Sequence, residues 1–195
     1  MKQLKVHDLI SVGIYAAIYF LMVAIATMLL RFTVPVFNSI LIPGFSALLS
    51  GTVYLLVINK IPKFGAITLV GSVMALFFLV FGYFPLAFLP SVLFPLLADI
   101  VMYKTSLVKE MKLPLSYIIF GFGLTGPIIP LWFMKDSYIN VLIKHGKDQT
   151  YIDSVFAPIT TGTFFVSFLV TILGGVIGLI IAKKIYAKHF AKVSK

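Results

Sequence analysis

The apolar residues of this chain come in runs of about 20, separated by short polar breaks. Few folds accept that pattern. Such a run crosses a bilayer as a helix, and inside a bilayer only helices and closed barrels satisfy their own backbone groups. The breaks place six spans at 8–30, 39–58, 64–82, 85–103, 114–134 and 159–182. The expectation is an all-α integral membrane protein, one compact six-helix bundle forming a single membrane domain over 1–195. Composition agrees: 61% of residues are hydrophobic and 11% charged, with a mean hydropathy of +1.09, outside the range of ordinary soluble domains. Span one resembles a signal peptide in its leading Lys2 and Lys5 and its Ala24-Ile-Ala26, but its apolar run is too long and five more spans follow.

A net charge of +10 suggests nucleic acid until the charges are placed. Twelve of the sixteen basic residues fall at one side: Lys2 and Lys5, Lys60 and Lys63, Lys104, Lys109 and Lys112, and the tail from Lys183 to Lys195. Arg31, Lys135, Lys144 and Lys147 fall at the other. The positive-inside rule then puts both termini in the cytoplasm. The excess charge reports topology and contact with anionic lipid, with no nucleic-acid partner. With no cysteine, there is no disulfide framework or thiolate metal site.

Most connections are short, as in Asn59–Lys63 and Gly82–Pro85, so consecutive helices are expected to pack antiparallel. The outer loop 135–158 is the exception. It carries Asp136, Asp148 and Asp153, three of the six acids, with Tyr138, Asn140, His145 and Tyr151. A connection of that length is expected to be a lid or binding loop rather than a plain tether.

Motifs for chemistry are missing. Gly121-Phe-Gly-Leu-Thr-Gly126 spells GxGxxG without the strand a dinucleotide site requires, so small-residue packing and a softened helix before Pro127 and Pro130 explain it better. No GxxxxGK[ST] is present, so ATP would be bound only by partner subunits and this chain holds no cofactor of its own. Gly44-Phe-Ser-Ala47 approaches a serine-protease motif, but the three histidines lie outside the spans, out of reach of a serine partner. There is no HExxH and no metal-ligand cluster. An enzyme is not expected.

Asp99 is the one carboxylate well inside a span. Snorkelling or pairing with Lys63 or Lys104 accounts for it more simply than ion coupling does, though an intramembrane acid always raises the functional question. At the outer ends of the spans lie Thr33, Asn38, Tyr83, Phe84, Trp132, Lys135, Asp136, Thr160 and Thr161, with Tyr138 in the loop beyond. These residues are the candidate substrate site, an aromatic-walled pocket with a few polar groups. An interfacial aromatic belt with helix caps is the other account of them. Gly13, Ala17 and Ala24 form a small-residue stripe on span one. Lipid tails need no such stripe, whereas a second helix backbone can approach it closely. Packing inside the bundle is the competing explanation.

In layout the chain resembles the S components of energy-coupling factor (ECF) transporters, and within them the Trep_Strep group of integral membrane proteins. The residues carrying the likeness are Pro43-x7-Gly51-x2-Tyr54-x5-Lys60-x2-Lys63-x-Gly65, Ala98-Asp99, Gly174-Gly-Val-Ile-Gly178, Lys183-Lys184 and Lys188-His189-Phe190. The resemblance implies a bacterial plasma-membrane subunit that captures a vitamin or precursor from outside. It would deliver this cargo through a transmembrane coupling protein and two ATPase subunits, and topple in the membrane to release it. It also implies that the stripe on helix one docks on the coupling protein, with Gly13-x3-Ala17 standing for an AxxxA face. Hydroxymethylpyrimidine or pyridoxine is the substrate that an aromatic site with Lys135 and Asp136 nearby suggests. A stand-alone ion-coupled transporter and a ligand-free membrane scaffold are the alternatives.

Overall fold

The computed structural model describes residues 3–190, so Lys2, Lys192 and Lys195 of the basic set lie outside the described residues. Every regular element among those residues is helical. Helices α1 (Val6–Thr33), α2 (Asn38–Lys60) and α9 (Thr161–His189) are long and apolar enough to cross a membrane. Between them lie α3 (Ala66–Val80), α4 (Phe88–Lys104), α5 (Lys109–Gly121), α6 (Ile129–Phe133), α7 (Lys135–Lys144) and α8 (Gln149–Phe156).

Helices α3 and α4, at 15 and 17 residues, are shorter than the runs 64–82 and 85–103 implied. The expected span 114–134 is broken. Its helix α5 starts earlier, at Lys109, and ends at Gly121; a 3-10 turn covers Phe122–Thr125, and α6 resumes at Ile129. Pro127 and Pro130 lack the N–H groups a continuous helix needs. Gly126 is pressed against the Ala87 carbonyl, where no Cβ fits. The segment 135–158 is not an irregular loop but two short helices. A turn at Gly146 with φ +73 joins them, and the Asp148 carboxylate caps α8 by accepting from the Tyr151 N–H at 2.8 Å.

The helices form a ring in which α1 packs on α2 and α3, α3 on α4, α4 on α5, α5 on α9, and α9 back on α2. The tightest seam is α2–α9. A Cβ on Gly44 would stand 2.5 Å from the Val170 carbonyl oxygen, and one on Gly51 2.6 Å from that of Gly178. Gly174 and Gly178 in turn abut the Gly44 and Ala47 carbonyls. The two backbones run parallel, since Ser167 meets Ile40 at one level and Gly178 meets Gly51 lower down. Polar groups tie the centre: the Tyr54 hydroxyl bonds to Ser116, Ser116 donates to the Ala98 carbonyl, and Tyr117 donates to the Ala47 carbonyl.

Two ends follow from these contacts. At the near end, Lys63 Nζ lies 2.5 Å from Asp8, and Lys104 Nζ lies 4.4 Å from the centroid of the Phe64 ring. Asp99 accepts from the N–H groups of Gly65 and Thr68 at 3.1 and 2.8 Å and from the Thr68 hydroxyl. The expected Asp99 pairing with Lys63 or Lys104 is therefore absent: the carboxylate caps the N-terminus of α3, where orphan N–H groups and the helix dipole favour negative charge. The start of α1 and the end of α9 both belong to this near end. The far end holds the α1–α2 turn, the α3–α4 link, α6, α7 and α8.

Candidate functional site

The far end contains a chamber of about 460 Å³ that opens into a mouth of about 590 Å³. The volumes suit a small-molecule site. Helix α1 forms one wall: Phe20, Val23, Ala24, Thr27 and Arg31 repeat at helical spacing, the first four facing the chamber and Thr27 and Arg31 the mouth. Met74, Phe77 and Phe78 of α3 stand opposite, and Leu124, Pro127, Ile128 and Leu131 close the side where α5 breaks. The break thus bends the chain around a cavity that a straight helix would fill.

The roof comes from α7 and α8. Tyr138 enters the chamber, Tyr151 and Val155 line both chamber and mouth, and Ser154 lines the mouth. Ile152 anchors α8 with 3% exposure. Tyr138 is held by a stacked contact with the buried Phe84 ring, centroids 5.4 Å apart, and by Phe156 edge-on at 6.1 Å.

Three tyrosines, Tyr83, Tyr138 and Tyr151, converge here from three separate segments. Burial first, then the neighbouring Tyr151 and Tyr83, pushes the Tyr138 hydroxyl up to about 12. Burial, with Tyr151 second, also raises Tyr83. Both remain neutral hydroxyls, able to donate and accept, across the physiological range. Aromatic walls flank them, with Phe20 and Phe77 edge to face at 5.1 Å.

The expected site residues divide. Asn38 lines the mouth and Tyr83 both compartments, Tyr138 lines the chamber, and Phe84 backs Tyr138 without lining it. Trp132 belongs to a separate apolar hollow of about 180 Å³ with Phe164 and Phe168, where its indole N–H donates to the Thr160 carbonyl at 2.9 Å. Thr160 caps α9 and Thr161 begins it, both exposed. Lys135 is exposed over the Phe156 ring, and Asp136 is exposed without lining either compartment. The residues that sequence reasoning missed are Phe20, Thr27 and Arg31, whose signal was their shared helical face, together with Ser39 and Phe77; Tyr151 was placed in the lid segment but not among the site residues.

The small-residue stripe divides as well. Gly13 and Ala17 are exposed, with nothing within 4 Å of where a Gly13 Cβ would stand, whereas Ala24 lines the chamber. Packing inside the bundle uses the other small residues, on α2 and α9.

No curated protein and no solved structure matches this chain. Residues 6–192 match the family described as "hypothetical bacterial integral membrane protein (Trep_Strep)". That match covers nearly the whole chain and agrees with the three long apolar helices, so the protein belongs to the Trep_Strep family of bacterial integral membrane proteins.

Proposed function

We propose that this chain is the substrate-binding membrane subunit of an ECF-type ABC importer, acting in the bacterial plasma membrane. The observation that carries the reading is the roofed, aromatic-walled chamber of about 460 Å³ at the end of the bundle opposite the start of α1 and the end of α9. In this reading the chain crosses the membrane six times, with α3, α4 and the broken α5–α6 segment completing the set. The far end faces outward and both termini are cytoplasmic. The basic residues of the near end, including Lys60, Lys63, Lys104 and Lys183, support that orientation.

The chamber captures a vitamin or vitamin precursor with a planar ring, of the size of hydroxymethylpyrimidine or pyridoxine. A coupling protein and two ATPase subunits supply the energy, and ATP is bound by them. Gly13 and Ala17, exposed and small, offer the coupling protein a close approach.

Purification of the tagged chain from its native membrane tests this reading. A coupling protein and ATPases should co-purify, and denaturation should release a vitamin-like compound. A lone protein with no ligand would remove the reading. One observation favours a stand-alone ion-coupled transporter: the second carboxylate oxygen of Asp99, Oδ1, is buried with no hydrogen-bond partner among the described residues. Gradient-driven uptake into liposomes lacking ATPases would select that alternative.

A further inference from the structure

We infer that the ligand of this site is a planar ring compound bearing an acidic group, a carboxylate or phosphate ester. Its ring lies in the chamber and its acid at the mouth against Arg31. The inference rests on the capture reading above and adds the charge of the cargo.

Arg31 is the only arginine in the chain and it lines the mouth. Among the described residues the one ion pair joins Lys63 and Asp8 at the near end, so Arg31 has no carboxylate partner. No Asp or Glu lines the chamber or the mouth. Of the three acids of the roof, Asp148 accepts from the Tyr151 N–H, Asp153 accepts from the Gln149 amide, and Asp136 is exposed outside both compartments. A second cation stands nearby, with Lys147 Nζ 4.7 Å from the centroid of the Tyr151 ring. Arg31 is therefore the one charged side chain lining the mouth, with no carboxylate lining it beside Arg31, which favours an anion there over a cationic ring.

A position in the last turn of α1 would suit any cation. What points to a ligand is that Arg31 lines the mouth of an aromatic chamber. Thr27 lies one turn below Arg31, a drop of roughly 6 Å, and Thr27 lines both compartments. A ring at the level of Thr27 with a short acidic arm reaches Arg31, whose planar fork matches a carboxylate or phosphate in two parallel hydrogen bonds. The hydroxyls of Tyr83, Tyr138 and Tyr151, which bond to no other described residue, are left for the ring's heteroatoms. The face of the ring packs among Phe20, Phe77 and Phe78.

The test uses the full chain in phospholipid-free detergent and matched pairs of probes: nicotinate and nicotinamide, pyridoxine 5′-phosphate and pyridoxine, and hydroxymethylpyrimidine with and without its phosphate. Binding is read by calorimetry. The expected result is that an acid binds at least about tenfold tighter than its neutral partner. Arg31→Gln should weaken the acid by about tenfold to a hundredfold and leave the neutral compound unchanged, while Arg31→Lys keeps part of the difference. Both variants are compared with the parent in unliganded melting temperature, which separates loss of binding from loss of folding.

If neutral members bind as well as acids and Arg31→Gln changes neither, the inference falls and the capture reading stands. If no ring compound of either kind binds, both fall together. A third arm adds phosphatidylglycerol bicelles. If these, and none of the ring acids, stabilise the parent over Arg31→Gln, Arg31 serves a lipid headgroup and the inference is overturned.

Discussion

Asp99 carries a buried carboxyl group that ends as a cap on another helix. Its carboxylate takes two backbone N–H groups and a hydroxyl from the first turn of α3, and its side chain is fully buried. Asp99→Asn keeps the shape but loses the charge assistance and places an amide among donors, so it should cost about 1–3 kcal/mol of stability, read as a lower melting temperature in detergent. Unchanged melting with abolished transport would point to ion coupling instead. That role was not legible in the sequence, which showed an acid near two lysines. Lys63 goes to Asp8 and Lys104 to the Phe64 ring, and only the approach of α3 to α4 decides which partner Asp99 meets. Tyr138 carries a second prediction. Its hydroxyl is raised to about 12 from the ordinary 10.0, so the protonated form is the one the folded state favours. The contribution is complete below pH 10, and declines as pH rises toward about 12. Ultraviolet titration of phenolate should show this late step, and Tyr138→Phe should lower its amplitude by one phenolate. A step near pH 10 would contradict the burial of Tyr138.

Among the elements, the seam between α2 and α9 depends on glycine. Gly178→Leu would drive a side chain into the Ala47 and Leu48 backbone, at a cost of about 3 kcal/mol or more, and folded protein should be lost from size-exclusion profiles. Gly13→Leu on α1 meets open space. It should change the melting temperature of the lone subunit by no more than an exposed substitution does, about 0.5 kcal/mol, while reducing co-purification of a coupling protein. Equal losses from both substitutions would place Gly13 in an internal contact. The sequence displayed both sets of small residues in the same way, as GxxxG-type spacing. Which set faces a neighbour within the chain depends on the rotation of each helix about its axis, and that is set by tertiary packing. The break after Gly121 was visible in Pro127 and Pro130, but the cavity it opens was not.

Across the whole molecule, helix polarity and end placement fit a chain that returns to its starting side. The absence of cysteine leaves a thiol-free background for single reporters. Ser154→Cys, in the roof, should react with an impermeant maleimide in intact cells, and Lys60→Cys only after permeabilisation; the reverse pattern would invert the proposed topology. By itself the sequence determined the solvent of this protein, its helical class and the asymmetry of its charge, because apolar run length and lysine placement are one-dimensional properties read by a bilayer. Tertiary structure alone decided the site. Tyr83 is more than fifty residues from Tyr138 and Tyr151 along the chain yet lines one chamber with them, and Trp132, which looked like their companion, is turned to another hollow. A cavity is the space left between elements, so it depends on where α5 breaks and how α7 and α8 fold back, and no local pattern encodes that.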